Sequence, residues 1–160
     1  GTGKPSPLGM CIKNGIIYGD YMTSYSVMAV KKDGTIYTPA QGLMGKNLLA
    51  AGVKDTYNFG PVLIKDGEAQ LPWAETEKYY PRTAVGMVKP NDYVLLVTDT
   101  GSYNGLNHWD MVNIFKSYGC TYAYNLDGGG SATLYFNGKV MNKLIGNTQR
   151  PCADFLYFTR

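Results

Sequence analysis

Short runs of alternating apolar and polar residues fill most of this chain, and glycine-containing turns stand between them. That punctuation predicts β-hairpins. Residues 8–12 and 16–18 flank Lys13-Asn14-Gly15, and residues 26–30 and 35–38 flank Asp33-Gly34. A strand over 57–65 leads into Asp66-Gly67. Strands over 83–88 and 93–98 flank Lys89-Pro90-Asn91-Asp92, where proline pre-sets φ at the second turn position. Further strands are predicted over 121–125, over 132–136 and 139–141 about Asn137-Gly138, and over 153–158. Residues 72–81 are aromatic and charged without a period, and predict a surface loop.

Two stretches change to a helical period. Residues 43–51 place Leu48 and Leu49 on a buried side, and Gly52 stands where a left-handed cap ends a helix. The second helix is better marked. Asn107 is a good N-cap with Asp110 as a capping-box-like partner, Leu106 and Met111 occupy the staple positions, and Gly119 stops the run. Met111, Val112, Phe115 and Tyr118 form its core stripe. The sum is an α+β fold with a mixed, largely antiparallel sheet and two packed helices.

The two helical units echo each other. Gly52 is followed by Tyr57-Asn58 and Phe59-Gly60-Pro61, and Gly119 by Tyr124-Asn125 and Leu126, at equal offsets. The second copy carries four extra residues, which fall within the stretch Asp127-Gly128-Gly129-Gly130-Ser131. An internal pseudo-twofold repeat follows, in which one copy is scaffold and the other bears an added loop lined by Phe59-Gly60-Pro61. A coincidence of two common helix–strand–hairpin units is the alternative.

Composition narrows the class. A chain of 160 residues predicts one domain, and a net charge of +3 with interspersed signs lacks the basic stripe of a nucleic-acid binder. No apolar run reaches the ~20 residues that cross a bilayer. Cys11, Cys120 and Cys152 are too widely spaced for a zinc site and read as small buried hydrophobes. His108 reads as an exposed first-turn residue.

Candidate chemistry gathers at the glycine loop. Three successive glycines are entropically expensive to order, and their amides can turn toward one anion as a nest. A plain turn is the alternative. Asp99 and Asp127 each close a strand, a rigid mount from which two acids could serve a glycosidic bond if those strands are neighbours. Each could instead cap its own loop. Arg82 and Arg150 offer guanidinium forks suited to phosphate, and Thr83 a hydroxyl, while surface pairing would account for either arginine. Asn125 would orient Asp127, bind a sugar hydroxyl, or simply serve its turn, as its twin Asn58 suggests. These residues commit to no cofactor. A weaker idea is a Ca or Mg site built from Asp99, Asp127 and Asn125 oxygens.

Several of these strings resemble the phosphodiester glycosidase family: Pro81-Arg82-Thr83-Ala84-Val85-Gly86, Asp99 at its strand end, Gly105-Leu106 before a helix, and Asn125-Leu126-Asp127-Gly128-Gly129-Gly130-Ser131 followed by Asn137-Gly138-Lys139-Val140. The resemblance implies hydrolysis of a glycosyl-1-phosphodiester of the N-acetylglucosamine-1-phosphodiester kind, on a bacterial surface polymer or exopolysaccharide outside the cell. It implies Asp127, Asp99 and Arg82 as catalytic residues. Thr83, Asn125, Gly128, Gly129, Gly130, Ser131 and Arg150 would bind substrate. Two departures stand out. Asp99-Thr100-Gly101-Ser102 replaces the family's usual Asp-Gly-Arg, and family domains start upstream of Gly1, so residues 1–160 are expected to be one domain lacking its first strands or completed by another chain. A non-catalytic glycan-binding module, using tyrosine faces such as Tyr103 and the indole of Trp73, is the competing expectation.

Overall fold

A computed structural model describes residues 8–21, 23–70, 78–99 and 104–158. Trp73, Tyr103, Thr100-Gly101-Ser102 and most of the surface loop expected over 72–81 lie outside the described residues. The strands are β1 (Cys11–Lys13), β2 (Ile16–Gly19), β3 (Ser26–Lys31) and β4 (Ile36–Tyr37), followed by helix α1 (Gly45–Ala50). Then come β5 (Val53–Phe59), β6 (Val62–Lys65), β7 (Glu68–Ala69), β8 (Thr83–Lys89) and β9 (Asp92–Val97). Helix α2 (His108–Ser117) precedes β10 (Tyr122–Leu126), β11 (Tyr135–Phe136) and β12 (Lys139–Val140).

All pairing among the described residues is antiparallel. One sheet runs β4-β3-β5, a second runs β7-β6-β10-β8-β9, and β1-β2 and β11-β12 are separate hairpins. Because strand residues alternate between faces, each sheet has two packed sides. Met28, Tyr57, Val85, Met87, Tyr122 and Tyr124 fill the space between the two larger sheets. Ala84, Ala123, Leu63 and Ile64 meet Met111, Val112 and Phe115 of α2. Val27, Ala29 and Val53 pack with Met10, Ile12 and Leu48 under α1 and the first hairpin. The layers are therefore helix, sheet, sheet, helix.

Gly86 lets α2 lie close on its sheet. A Cβ there would stand 2.5 Å from Phe115 Cδ1 and 2.7 Å from Cys120 Sγ. The helix begins as expected, with the Asn107 side chain accepting from the Asp110 amide at 2.8 Å. Its stripe is shorter than expected, because Tyr118 at the C-cap is exposed while Met111, Val112 and Phe115 are buried. His108 is buried rather than exposed, since the first turn of α2 faces the sheet.

The internal echo extends to topology and register. In both copies a hairpin, a helix and a left-handed glycine (Gly52, φ +85; Gly119, φ +73) lead to a strand that pairs with the hairpin's first strand. Tyr57 and Asn58 stand opposite Met28 and Val27, and Tyr124 and Asn125 stand opposite Val85 and Ala84.

The strand expected over 57–65 is in fact two strands in different sheets. Gly60 (φ +88) and Pro61, joined by a cis peptide, carry the chain from one sheet to the other, and Pro61 has no N–H to continue a ladder. Residues 153–158 form no strand. Side chains hold them instead: Asp154 pairs with Lys13 at 2.9 Å, and Phe158 packs on Tyr93 with centroids 5.3 Å apart. Residues 132–134 also fail to pair as strand, because Asn142 bridges the Leu134 amide (2.7 Å) and the Ala132 carbonyl (2.9 Å).

Candidate active site

Strands β8, β9 and β10 bring Arg82, Asp99 and Asp127 to one end of the sheet. Thr83 stands opposite both Val97 and Leu126. Arg82, just before β8, Asp99, beyond β9, and Asp127, after β10, therefore share that end. The two acid-bearing strands are not neighbours, however. β8 lies between them, so they run two strand spacings, about 10 Å, apart.

Asp127 is the centre of a compact polar cluster. Its Oδ1 accepts from the Gly128 amide at 2.8 Å, and its Oδ2 accepts from Ser131 Oγ at 2.7 Å and Arg150 Nη2 at 2.5 Å. Arg150 Nε donates to Ser131 Oγ at 2.8 Å, and Nη2 donates to the same oxygen. The carboxylate and guanidinium side chains are 49% and 51% exposed. A pair so open to water contributes roughly 0–1 kcal/mol to folding. Its presence thus calls for a role other than stability.

The glycine loop is not an open nest. Residues 129–131 form a single 3₁₀ turn. The Gly128 amide faces Asp127, the Gly129 amide donates to the Pro81 carbonyl at 2.8 Å, and the Ser131 amide donates to the Gly128 carbonyl at 3.0 Å. The Gly130 amide makes no bond within the described residues. Anion-holding capacity thus moves from the row of amides to Arg150, Ser131 and Gly130. What the glycines provide is close approach, since a Cβ on Gly128 would stand 2.5 Å from the Pro81 carbonyl oxygen.

Asn125 is buried, and its side-chain amide donates to the Gly60 carbonyl at 2.7 Å. The Asn125 backbone exchanges two more bonds with Gly60 and Pro61. It therefore fastens β10 to the sheet-crossing turn, while its Oδ1 is buried without a hydrogen-bond partner among the described residues. Asn58 does the same for the Leu8 and Met10 carbonyls, at 2.7 and 2.8 Å. The reading in which this asparagine serves its turn is the one the structure favours. Phe59-Gly60-Pro61 thereby abuts Asn125 rather than the Asp127 carboxylate.

Arg82 braces the rim. Its Nε donates to the Leu106 carbonyl at 3.2 Å and its Nη2 to the Lys78 carbonyl at 3.1 Å, with the guanidinium 5.2 Å from the Tyr80 ring centroid. Two of its N–H directions are thus engaged by main chain. Thr83 Oγ1 is buried without a hydrogen-bond partner among the described residues, an uncommon state at an otherwise bonded rim. Asp99 Oδ2 accepts from the Lys143 amide at 2.8 Å, which pins the return of the β11–β12 hairpin. Of the oxygens considered for a Ca or Mg site, Asp99 Oδ2 accepts from the Lys143 amide, Asp127 Oδ2 from Arg150, and Asn125 is buried. No group of three or more His, Cys, Asp or Glu side chains converges among the described residues.

Cys11 and Cys120 are buried as expected, and burial pushes both thiols up. Cys152 differs, being exposed with Sγ 3.4 Å from Ser131 Oγ. Its proximity to Arg150 in sequence is the sole hint of that position. The contacts to Lys143 and Pro81 are made by main chain and leave no mark in the side-chain pattern.

Residues 1–159 match the family described as phosphodiester glycosidase. The SPbeta prophage-derived uncharacterized protein YomE of Bacillus subtilis (strain 168) is 31% identical over 160 residues, covering 93% of this chain and 25% of that protein. N-acetylglucosamine-1-phosphodiester alpha-N-acetylglucosaminidase of Mus musculus is 28% identical over 156 residues, covering 81% of this chain and 29% of the enzyme. The chain thus spans less than a third of the length of either relative. The catalytic domain of the zebrafish enzyme of the same name, described as auto-inhibited by its pro-peptide, superposes with a TM-score of 0.72 over 92% of this chain and 55% of its own, at 22% identity. That likeness shows a shared fold. The chain belongs to the phosphodiester glycosidase family.

Proposed function

We propose that this chain takes part in hydrolysis of a glycosyl-1-phosphodiester, of the N-acetylglucosamine-1-phosphodiester kind, with Asp127 as its catalytic carboxylate. The observation that carries this is the Asp127–Ser131–Arg150 cluster, half open to water and worth little to folding. Arg150, Ser131 and the Gly130 amide hold the phosphate oxygens. Asp127 supports the positive charge that develops at the anomeric carbon. The bond between that carbon and the phosphate oxygen breaks, with its electron pair leaving on the phosphate. Water forms the new bond to carbon, and its proton passes to an Asp127 oxygen. A phosphate is a far better leaving group than an alcohol, so the step needs less help from a second acid than an ordinary glycosidase does.

In this reading Asp99 and Arg82 are positioning residues, since the structure engages both with main chain around the site. The substrate is assigned to a bacterial surface polymer or exopolysaccharide, and the place of action to the cell exterior. The family and the similarity to enzymes named for N-acetylglucosamine phosphodiesters support the chemistry. No helix among the described residues is long and apolar enough to cross a membrane.

The test is incubation with methyl N-acetylglucosamine-1-phosphodiester in ¹⁸O-water. Release of N-acetylglucosamine with no ¹⁸O in the methyl phosphate supports cleavage at carbon. Label in the phosphate would mean cleavage at phosphorus and would contradict the proposal, as would no release.

A further inference from the structure

We propose that a second site, away from Asp127, binds an anionic oligosaccharide in the groove bounded by the β1–β2 hairpin, the β4-β3-β5 sheet and residues 153–158. None of its lining residues belongs to the Asp127 cluster, so the inference does not rest on the hydrolytic reading.

Size comes first. The groove holds about 1020 Å³, at the upper end of ordinary small-ligand pockets, which run to roughly 1,000 Å³. One sugar would leave most of it empty, whereas a short chain of sugars fills it. Charge then selects the ligand. Lys13, Lys31, Lys32 and Lys54 line the groove against Asp55 and Asp154. Lys13 pairs with Asp154 at 2.9 Å and Lys54 approaches Asp55 at 3.9 Å, but neither Lys31 nor Lys32 is in an ion pair among the described residues. Lys31 Nζ stands over the Tyr37 ring, 5.3 Å from its centroid, a contact that leaves its charge uncompensated, so both lysines add positive charge to the groove.

Aromatic rings are prominent in the lining. Tyr18, Tyr21 and Tyr157 line the groove with 67%, 53% and 62% of their surface exposed. Rings left in water beside lysines suit a ligand with both apolar faces and negative charge. A pyranose meets that need: its C–H edges carry slight positive charge and pack on the negative face of a ring, while its acidic substituents reach the ammoniums. A neutral glycan would leave Lys31 and Lys32 unused, and an apolar peptide would bury them.

Calorimetric titration decides the matter, with four probes: tetragalacturonate, a tetramer of N-acetylglucosamine 1-phosphate, uncharged chitotetraose, and the oligonucleotide dT10. Tetragalacturonate carries no glycosyl phosphate, so its binding reports on the groove whatever the Asp127 site does. The expected result is binding of at least one anionic saccharide, at least tenfold tighter than chitotetraose and tighter than dT10. Carboxylate or phosphate preference then identifies the acid group. The double variant Lys31→Glu/Lys32→Glu should weaken it at least tenfold, and Tyr18→Ala/Tyr21→Ala at least fivefold, with unchanged circular dichroism. Equal binding of dT10 would assign the groove to nucleic acid and overturn the proposal. So would the absence of saccharide binding, or binding indifferent to both double variants.

Discussion

Arg150 Nη2 lies 2.5 Å from Asp127 Oδ2, so the start of the C-terminal segment is tied to the end of β10. The tie is too exposed to contribute much to stability. Arg150→Ala should therefore shift folding stability by less than about 1 kcal/mol. In contrast, it should lower kcat/KM for a sugar phosphodiester by about 100-fold or more, as loss of a charge-stabilising donor commonly does. Chemical denaturation and steady-state kinetics on the same preparation separate the two effects.

The glycines of the loop are not equivalent. A methyl group on Gly128 would collide with the Pro81 carbonyl at 2.5 Å, and neither backbone can yield without moving the site. On Gly130 the same methyl would meet Arg150 Cδ at 3.6 Å, an ordinary contact. Gly128→Ala is expected to cost about 1–3 kcal/mol, the usual range for overpacking, and most of the activity. Gly130→Ala should fold with near-normal stability. Thermal melts of the two variants check the contrast.

Most hairpins and both helices were legible in the sequence because local chemistry dictates them. Asn14-Gly15, Asp66-Gly67 and Asn137-Gly138 adopt the turns such pairs favour, with both residues of each pair at positive φ, and Asn107 caps α2 as its side chain allows. The echo between Tyr57-Asn58 and Tyr124-Asn125 was legible for the same reason, and it extends to register. What eluded local reading depends on distant partners. The division of residues 57–65 between two sheets follows from where Asn125 holds Gly60 and Pro61. The Gly129 amide finds the Pro81 carbonyl, far away in sequence, and so that part of the nest closes. Residues 153–158 alternate like a strand, yet side-chain anchors on Lys13 and Tyr93 replace the ladder.

Asp99 is expected to act through the hairpin it holds. Its Oδ2 is 2.8 Å from the Lys143 amide, and Asn142 next to it bridges Leu134 and Ala132. Asp99→Ala should raise the hydrogen-exchange rate of the Lys143 amide at least tenfold and loosen the β11–β12 hairpin, while α2 keeps its protection. Unchanged exchange at Lys143 would remove Asp99 from this role.

Alkaline stability should be limited by buried tyrosines. Burial pushes the Tyr124 hydroxyl up to about 12, and burial raises Tyr57 and Tyr122 as well. Since the folded state holds these protons more tightly than the unfolded chain, whose tyrosines titrate near 10, stability is intact below about pH 10 and falls as pH rises toward 12. Tyrosinate absorbance should therefore rise in two stages: exposed tyrosines first, then the buried set together with loss of near-ultraviolet dichroism. Tyr124 also donates to the Ser26 carbonyl at 2.5 Å and accepts from the Phe59 amide at 3.0 Å. Tyr124→Phe should accordingly cost about 1–3 kcal/mol even at neutral pH.

The most direct measurement is the rate of N-acetylglucosamine release from its 1-phosphodiester by Asp127→Asn, beside the unaltered chain. That substitution keeps the side chain's shape and removes its charge. Release should fall by about 1,000-fold or more with an unchanged melting temperature. Release at the unaltered rate would contradict the assignment of Asp127 as the catalytic carboxylate.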